Sequence, residues 1–160
     1  MKAVCTGSFD PITLGHIDIF KRASKIVDEL IICIFHNVRK KSFLSVEDRI
    51  KLIEESLKEF EIKNARVDSF DGLVTEYMKS QNIQLIIRGI RSPQELQYEL
   101  NEADVIRKLD PKIETIFLPT DPQFSFVSSS MVRELHAFGA SVKDFVPNCL
   151  EKFISNLSQK

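Results

Sequence analysis

Apolar positions along the chain fall into two alternating patterns. Short continuous runs, Ala3 to Thr6, Leu30 to Phe35, Val67 to Phe70, Ile83 to Ile87 and Ile113 to Leu118, read as five strands. Strands that are apolar on both faces are typical of a parallel sheet covered by helices on either side. Between them, apolar residues recur at helical spacing. A first helix begins near His16, with Ile19, Phe20, Ala23, Ile26 and Val27 as its stripe. A second begins at Ser45, with Asp48 placed as in a capping box and a stripe of Ile50, Ile53, Leu57 and Phe60. Further helices are expected over Leu73 to Gln81, Pro93 to Lys108, Ser129 to Phe138 and Pro147 to Leu157, and the fourth strand is expected to end at Arg88-Gly89. Strands alternating with helices predict an α/β fold, a single doubly wound domain over residues 1–160 with a five-stranded parallel sheet.

Composition narrows the function. A chain of 160 residues, 43% hydrophobic and 28% charged, is expected to be a soluble globular domain. No apolar run approaches the ~20 residues that cross a bilayer, and the N-terminus passes directly into a strand without a signal sequence, so a cytoplasmic protein is expected. Twenty-two basic and 23 acidic residues give a net charge of −1. A polymeric nucleic acid calls for a basic excess, so any phosphate ligand should be small and met by a few focused cations. Cys5, Cys33 and Cys149 show no CxxC or Cys/His metal spacing and read as reduced, mostly buried thiols.

In open α/β sheets ligands bind beyond the carboxyl ends of the strands. The segments there are rich in groups that hold phosphate. Gly7 and Gly15 bracket the first such loop and would let the backbone turn tightly; His16 follows in the first helical turn, where free amides and the dipole favour an anion. The alternative is a plain turn with a capping histidine. Arg39-Lys40-Lys41 follows the second strand and reads equally as solvated surface or as a phosphate contact. Arg88-Gly89-Ile90-Arg91 follows the fourth; its arginines can grip phosphate as planar forks, and Gly89 would permit close backbone approach. Phe124-Ser125-Phe126-Val127-Ser128-Ser129-Ser130 joins aromatic residues to a serine triplet at a helix start, suited to capping and to a triphosphate. Tyr98 and Glu99 are placed to orient a ribose or an amide, while His36 and His136 read as structural.

Thr13-Leu14-Gly15-His16 resembles the T/H-x-G-H signature of the nucleotidylyltransferase superfamily, and Ser128 to Arg133 resembles its second, serine-rich signature. The ordered set Gly7-Ser8-Phe9-Asp10-Pro11, Lys40-Lys41, Arg88 to Arg91, Tyr98-Glu99 and Ser125 to Ser130 resembles the bacterial phosphopantetheine adenylyltransferases over nearly the whole chain. The resemblance implies a Rossmann-like nucleotidyltransferase fold and transfer of AMP from ATP to 4′-phosphopantetheine, giving dephospho-coenzyme A and pyrophosphate. It implies that Ser8, Lys40, Val74 and Arg88 contact the acceptor. It also implies that Ser8, Phe9, His16, Gly89, Ile90, Arg91, Glu99 and Phe124, Ser125, Phe126, Val127, Ser128, Ser129 and Ser130 bind ATP, with His16, Lys40 and Arg88 carrying catalysis. Mg²⁺ held through the phosphates, a homohexamer and feedback inhibition by coenzyme A are further implications. Thr6 stands where that family commonly has proline, Leu14 where asparagine is frequent, and Phe43-Leu44 departs from its usual order.

Overall fold

A computed structural model describes residues 1–35 and 41–157. Five parallel strands, β1 (Lys2–Gly7), β2 (Glu29–Phe35), β3 (Ala65–Phe70), β4 (Leu85–Ile90) and β5 (Glu114–Pro119), form one sheet in the order β3-β2-β1-β4-β5. Six α-helices run among the described residues: α1 (Leu14–Ala23), α2 (Val46–Glu59), α3 (Val74–Gln81), α4 (Pro93–Leu109), α5 (Ser129–Ala137) and α6 (Asn148–Leu157). The chain builds outwards from β1 to β3, then crosses to β4 on the other side of β1. That reversal between β1 and β4 is the topological switch point where a doubly wound sheet opens a crevice.

Strand residues alternate between two cores, because successive side chains point to opposite faces. Ala3, Cys5, Ile32, Ile34 and Ile87 pack with Ile17 and Phe20 of α1, Leu52, Ile53 and Leu57 of α2, Val132 of α5 and Leu150 and Ile154 of α6. Val4, Ile31, Cys33 and Ile86 pack on the other face with Tyr77 and Met78 of α3 and Ile106 of α4. Burial pushes the Cys5 and Cys33 thiols up to about 12, so both remain protonated packing groups.

The expected elements are all present, with two corrections. α1 stops at Ala23, so Val27 reaches the core from a turn and Ile26 is half exposed. β4 does not end at Arg88-Gly89 but continues to Ile90, because Arg88, Gly89 and Ile90 pair with Phe117, Leu118 and Pro119 of β5. Arg88 therefore projects from within the strand rather than from its end. Ser45 caps α2 by accepting from the Asp48 N–H at 3.0 Å, and Asp48 accepts the Ser45 hydroxyl in return. Among the described residues no helix is long and apolar enough to cross a membrane.

Candidate active site

A cleft of about 250 Å³ opens at the switch point, between the carboxyl ends of β1 and β4 and the start of α1. Ser8, Phe9, His16, Arg88, Gly89, Arg91, Glu99, Val127 and Ser129 all line it. Ile90, Phe124, Ser125, Phe126, Ser128 and Ser130 do not, although the Phe124 backbone lies beside Gly15. Val74 lines a separate apolar pocket, and Lys40 and His36 lie outside the described residues.

His16 occupies the third position of α1 and completes a capping box with Thr13. Its Nδ1 accepts the Thr13 backbone N–H at 3.0 Å, while the Thr13 hydroxyl accepts the His16 N–H at 3.4 Å. A glutamate or glutamine usually fills this position. Because Nδ1 is an acceptor, the neutral ring carries its proton on Nε2. Burial first, and then the Arg91 charge, lower the His16 pKa to about 4 against the opposing pull of Glu95. The ring is therefore neutral near pH 7. Phe9 meets it edge-on at 5.2 Å and Phe20 stacks at 6.4 Å, which fixes its plane. Capping and ligand-facing roles thus fall on opposite nitrogens of one ring.

Both arginines of the β4 segment already have acidic partners. Arg88 donates to the Thr6 carbonyl at 3.1 Å and to Glu102 at 3.3 Å, and its Nε lies 3.3 Å from Glu99. Arg91 forms a close pair with Glu95 at 2.6 Å and donates to the Val127 carbonyl at 3.0 Å. Glu95, Glu99 and Glu102 share one face of α4 at helical spacing, which sequence reading missed although the spacing is visible. The cations are thereby held in place rather than left free to reach outwards.

Two buried side-chain oxygens make no hydrogen bond among the described residues, Thr6 Oγ1 and Glu99 Oε2. Both belong to residues of this cleft. Burial raises the Glu99 pKa against the opposing charge of Arg88, with Glu102 and Glu95 raising it further. Buried polar atoms are nearly always satisfied; Glu99 Oε2 at least lies 3.3 Å from Arg88 Nε as an ion pair, whereas Thr6 Oγ1 has no partner among the described residues, which suits the cleft to a polar ligand.

The serine-rich segment acts differently from expectation. Its hydroxyls are largely occupied: Ser128 caps α5 at Met131 N–H, Ser129 donates to the Pro11 carbonyl at 2.7 Å, and Ser125 donates to the Pro122 carbonyl. What remains for an anion is the backbone, because the Ser129 and Ser130 N–H groups have no intrahelical partner at the start of a helix. The Gly15 N–H at the start of α1 is likewise unpaired among the described residues.

The glycines also need correction. A Cβ on Gly7 would meet the Phe9 ring at 2.9 Å, and one on Gly89 would meet Ile19 Cγ1 at 2.6 Å. These are packing constraints, the first seating Phe9 and the second letting α1 lie against β4. Gly15 is helical, and a Cβ there would make only ordinary contacts.

The first loop is stitched to its surroundings by residues to which the sequence assigned no structural role. Asp10 accepts the Phe43 and Leu44 N–H groups at 2.7 and 2.8 Å, and Arg133 donates to the Asp10 carbonyl at 2.5 Å. Arg49 of α2 donates to the Ser8 carbonyl at 2.9 Å. No group of three or more His, Cys, Asp or Glu side chains suited to a metal occurs among the described residues.

A family model for cytidylyltransferase-like proteins matches residues 4–135. The chain belongs to that family. Its members are nucleotidyltransferases, consistent with amides, a neutral histidine and arginines around one crevice. A Plasmodium falciparum nicotinic acid mononucleotide adenylyltransferase, solved with NaAD, aligns with a TM-score of 0.73 at 15% identity, covering 98% of this chain and 95% of that one. A Vibrio parahaemolyticus protein assigned as a nicotinate-nucleotide adenylyltransferase aligns with a TM-score of 0.68 at 16% identity, covering 96% and 97%. A lipopolysaccharide core biosynthesis protein of Thermoplasma volcanium aligns with a TM-score of 0.54 at 21% identity, covering 76% and 96%. At these identities the likeness is one of fold.

Proposed function

We propose that this nucleotidyltransferase moves AMP from ATP to 4′-phosphopantetheine, releasing pyrophosphate and forming dephospho-coenzyme A. One observation carries the choice of acceptor. Arg88 lines both the switch-point cleft and an adjoining pocket of about 390 Å³ walled by Leu73, Val74, Tyr98, Val105, Ile106 and Leu109. A phosphate held at Arg88 would leave room on one side for the nucleotide and on the other for a long, weakly polar arm. Pantetheine has that shape. A mononucleotide acceptor, as named for the Plasmodium and Vibrio proteins, would present a ribose and a flat charged ring to the same apolar walls.

In the reaction, an oxygen of the acceptor phosphate attacks the α-phosphorus, a new P–O bond forms, and the bond to the bridging oxygen of the β-phosphate breaks. Pyrophosphate leaves with that electron pair. A phosphate monoester has its second pKa near 6, so it is already largely ionised and needs no general base. Catalysis then rests on positioning and on stabilising charge. The Nε2–H of His16 donates to the α-phosphate as its charge changes. The free amides at the start of α5, with Arg91, hold the β- and γ-phosphates. Arg88, held by the Thr6 carbonyl, Glu99 and Glu102, meets the acceptor phosphate with its remaining N–H groups, joined by Lys40 as the resemblance implies. Glu99, ion-paired with Arg88 through Oε2, offers Oε1 to a ribose hydroxyl.

The cleft carboxylates Glu95 and Glu99 face arginines, and Asp10 is occupied by amides. Mg²⁺ would accordingly be held by phosphate oxygens and water rather than by the protein, and would supply charge neutralisation there. Coenzyme A carries both a nucleotide and a pantetheine arm, so it would compete for both pockets and inhibit. The reading is tested by pyrophosphate release with ATP and Mg²⁺ across acceptors: phosphopantetheine should support turnover and nicotinate mononucleotide should give little. Equal or faster turnover with the mononucleotide would overturn the acceptor while leaving the nucleotidyltransferase.

A further inference from the structure

Arg49 is a charged residue in the wrong place for a surface helix. It is 3% exposed and shares the buried stripe of α2 with Leu52, Ile53, Ser56 and Leu57. Arginine is almost never buried unless it is paired. Yet no carboxylate forms an ion pair with Arg49 among the described residues, and its donors go instead to the Ser8 carbonyl at 2.9 Å, the Ser45 carbonyl at 3.3 Å and the Ser42 hydroxyl at 3.4 Å. The shortest of these bonds ties a buried charge to the carbonyl of the cleft loop, which indicates that the orientation of that carbonyl matters.

The consequence lies one atom further along the chain. In a trans peptide the carbonyl and the following N–H point in opposite directions. With the Ser8 carbonyl held on Arg49, the N–H of Phe9 is turned away from α2. That N–H has no acceptor among the described residues, and both Ser8 and Phe9 line the cleft. Phe9 also has φ +46°, in the left-handed region that a bulky residue rarely adopts. Backbone held in so sparse a region persists only where the surroundings over-determine it, and such strain clusters at functional sites. Here its ring is clamped by Gly7, His16 and Phe20, and its preceding carbonyl by Arg49.

We propose that Arg49 is a positioning residue which aims the Ser8–Phe9 peptide so that the Phe9 N–H is presented to the cleft as a fixed donor for a nucleotide phosphate. This rests on the nucleotidyltransferase reading of the cleft but not on the identity of the acceptor. Arg49 itself touches no substrate. Its fork geometry supplies three bonds at once, and a lysine there would keep the buried charge without that fork.

The full chain, with isotope-labelled phenylalanine, is titrated with ATP alone, with CTP and with inorganic triphosphate while the Phe9 amide resonance is followed. The wild-type amide should shift on binding at least one of them. Arg49→Lys, which preserves the charge and so the fold, should lose most of that shift. Turnover with the best acceptor should fall about 10- to 100-fold in kcat, the cost of a misaligned donor, with the acceptor KM within about twofold. Ser42→Ala, which removes another Arg49 partner but leaves the Ser8 bond, should behave as wild type. A Phe9 amide that ignores all three ligands in the wild type overturns the proposal. So does an Arg49→Lys chain with normal shift and kcat, or a Ser42→Ala chain as impaired as Arg49→Lys. Failure of the acceptor assignment appears elsewhere, in the choice of acceptor that supports pyrophosphate release.

Discussion

Replacing His16 separates two jobs that the ring performs at once. His16→Ala removes the acceptor for the Thr13 N–H, bonded at 3.0 Å, and also the Nε2–H that faces the cleft. Loss of a cap costs about 1 kcal/mol of stability. Loss of one donor to a developing oxyanion costs about 2.7–4 kcal/mol of barrier, or 10²–10³ in rate. His16→Gln divides the two, since glutamine at this position of a capping box can accept from the Thr13 N–H. We expect His16→Gln to melt near the wild-type temperature and His16→Ala several degrees lower, with both reduced at least about 100-fold in single-turnover rate. ATP affinity should change far less than kcat in both, because the donor acts on charge that develops in transfer. Acidity gives a second reading. With the pKa at about 4 in the fold against 6.5 as an ordinary value, the unfolded chain takes up the proton first. Stability from the neutral ring is therefore complete above about pH 6.5 and is lost as pH falls towards 4, about 3 kcal/mol across that window. Both variants should lose this part of the acid dependence. A folded His16→Gln chain with wild-type single-turnover rate would refute the catalytic role.

Other consequences are equally direct. Lys40→Ala and Arg88→Ala should each weaken phosphopantetheine binding by roughly 10- to 100-fold in calorimetry, the cost of a charge-assisted hydrogen bond; unchanged affinity in both would remove them from the acceptor site. Gly89→Ala should cost about 1–3 kcal/mol in chemical denaturation, since its Cβ would meet Ile19 at 2.6 Å, and an unshifted midpoint would contradict that packing. At the far edge of the sheet, hydrogen bonds from Lys2 and Arg66 hold the Glu29 carboxyl low. For Asp68, burial pulls upwards but is outweighed by Tyr77, the Ser69 N–H and Arg66. Their stability is present above the ordinary carboxylate range and is lost as pH falls through the depressed values, so Arg66→Met should lower Tm at pH 7 and flatten its decline below about pH 4.5; an equally steep decline would contradict this. Light scattering at micromolar concentration should give about six subunits, as the family resemblance implies; an active monomer would contradict the hexamer.

The strand and helix order was legible because buried strands and amphipathic helices carry different periods. The order β3-β2-β1-β4-β5 was not legible, because right-handed crossovers are equally satisfied by other doubly wound orders. The misread places share a cause: polar residues acting inside the fold. Arg88-Gly89 reads as the end of the fourth strand, yet β4 runs on to Ile90 because β5 offers it partners as far as Pro119. The serines read as phosphate ligands, yet the Ser125, Ser128 and Ser129 hydroxyls are used within the fold, and it is the Ser129 and Ser130 amides at the start of α5 that stay open. Arg49 was passed over although its position on an apolar stripe was visible, since a charge there demands a buried partner. The role of Thr13 in fixing the His16 tautomer could not be read from spacing alone, because it depends on which ring nitrogen faces the backbone.

The central claim, adenylyl transfer to a phosphorylated arm lying in the pocket beside Arg88, is tested most directly by one competition. Enzyme, ATP and Mg²⁺ are given phosphopantetheine and nicotinate mononucleotide together, and the adenylylated products are separated and quantified. The account predicts dephospho-coenzyme A as the dominant product, with Val74→Asp abolishing that preference by placing a charge in the apolar pocket. Predominant dinucleotide formation by the wild-type chain would contradict it.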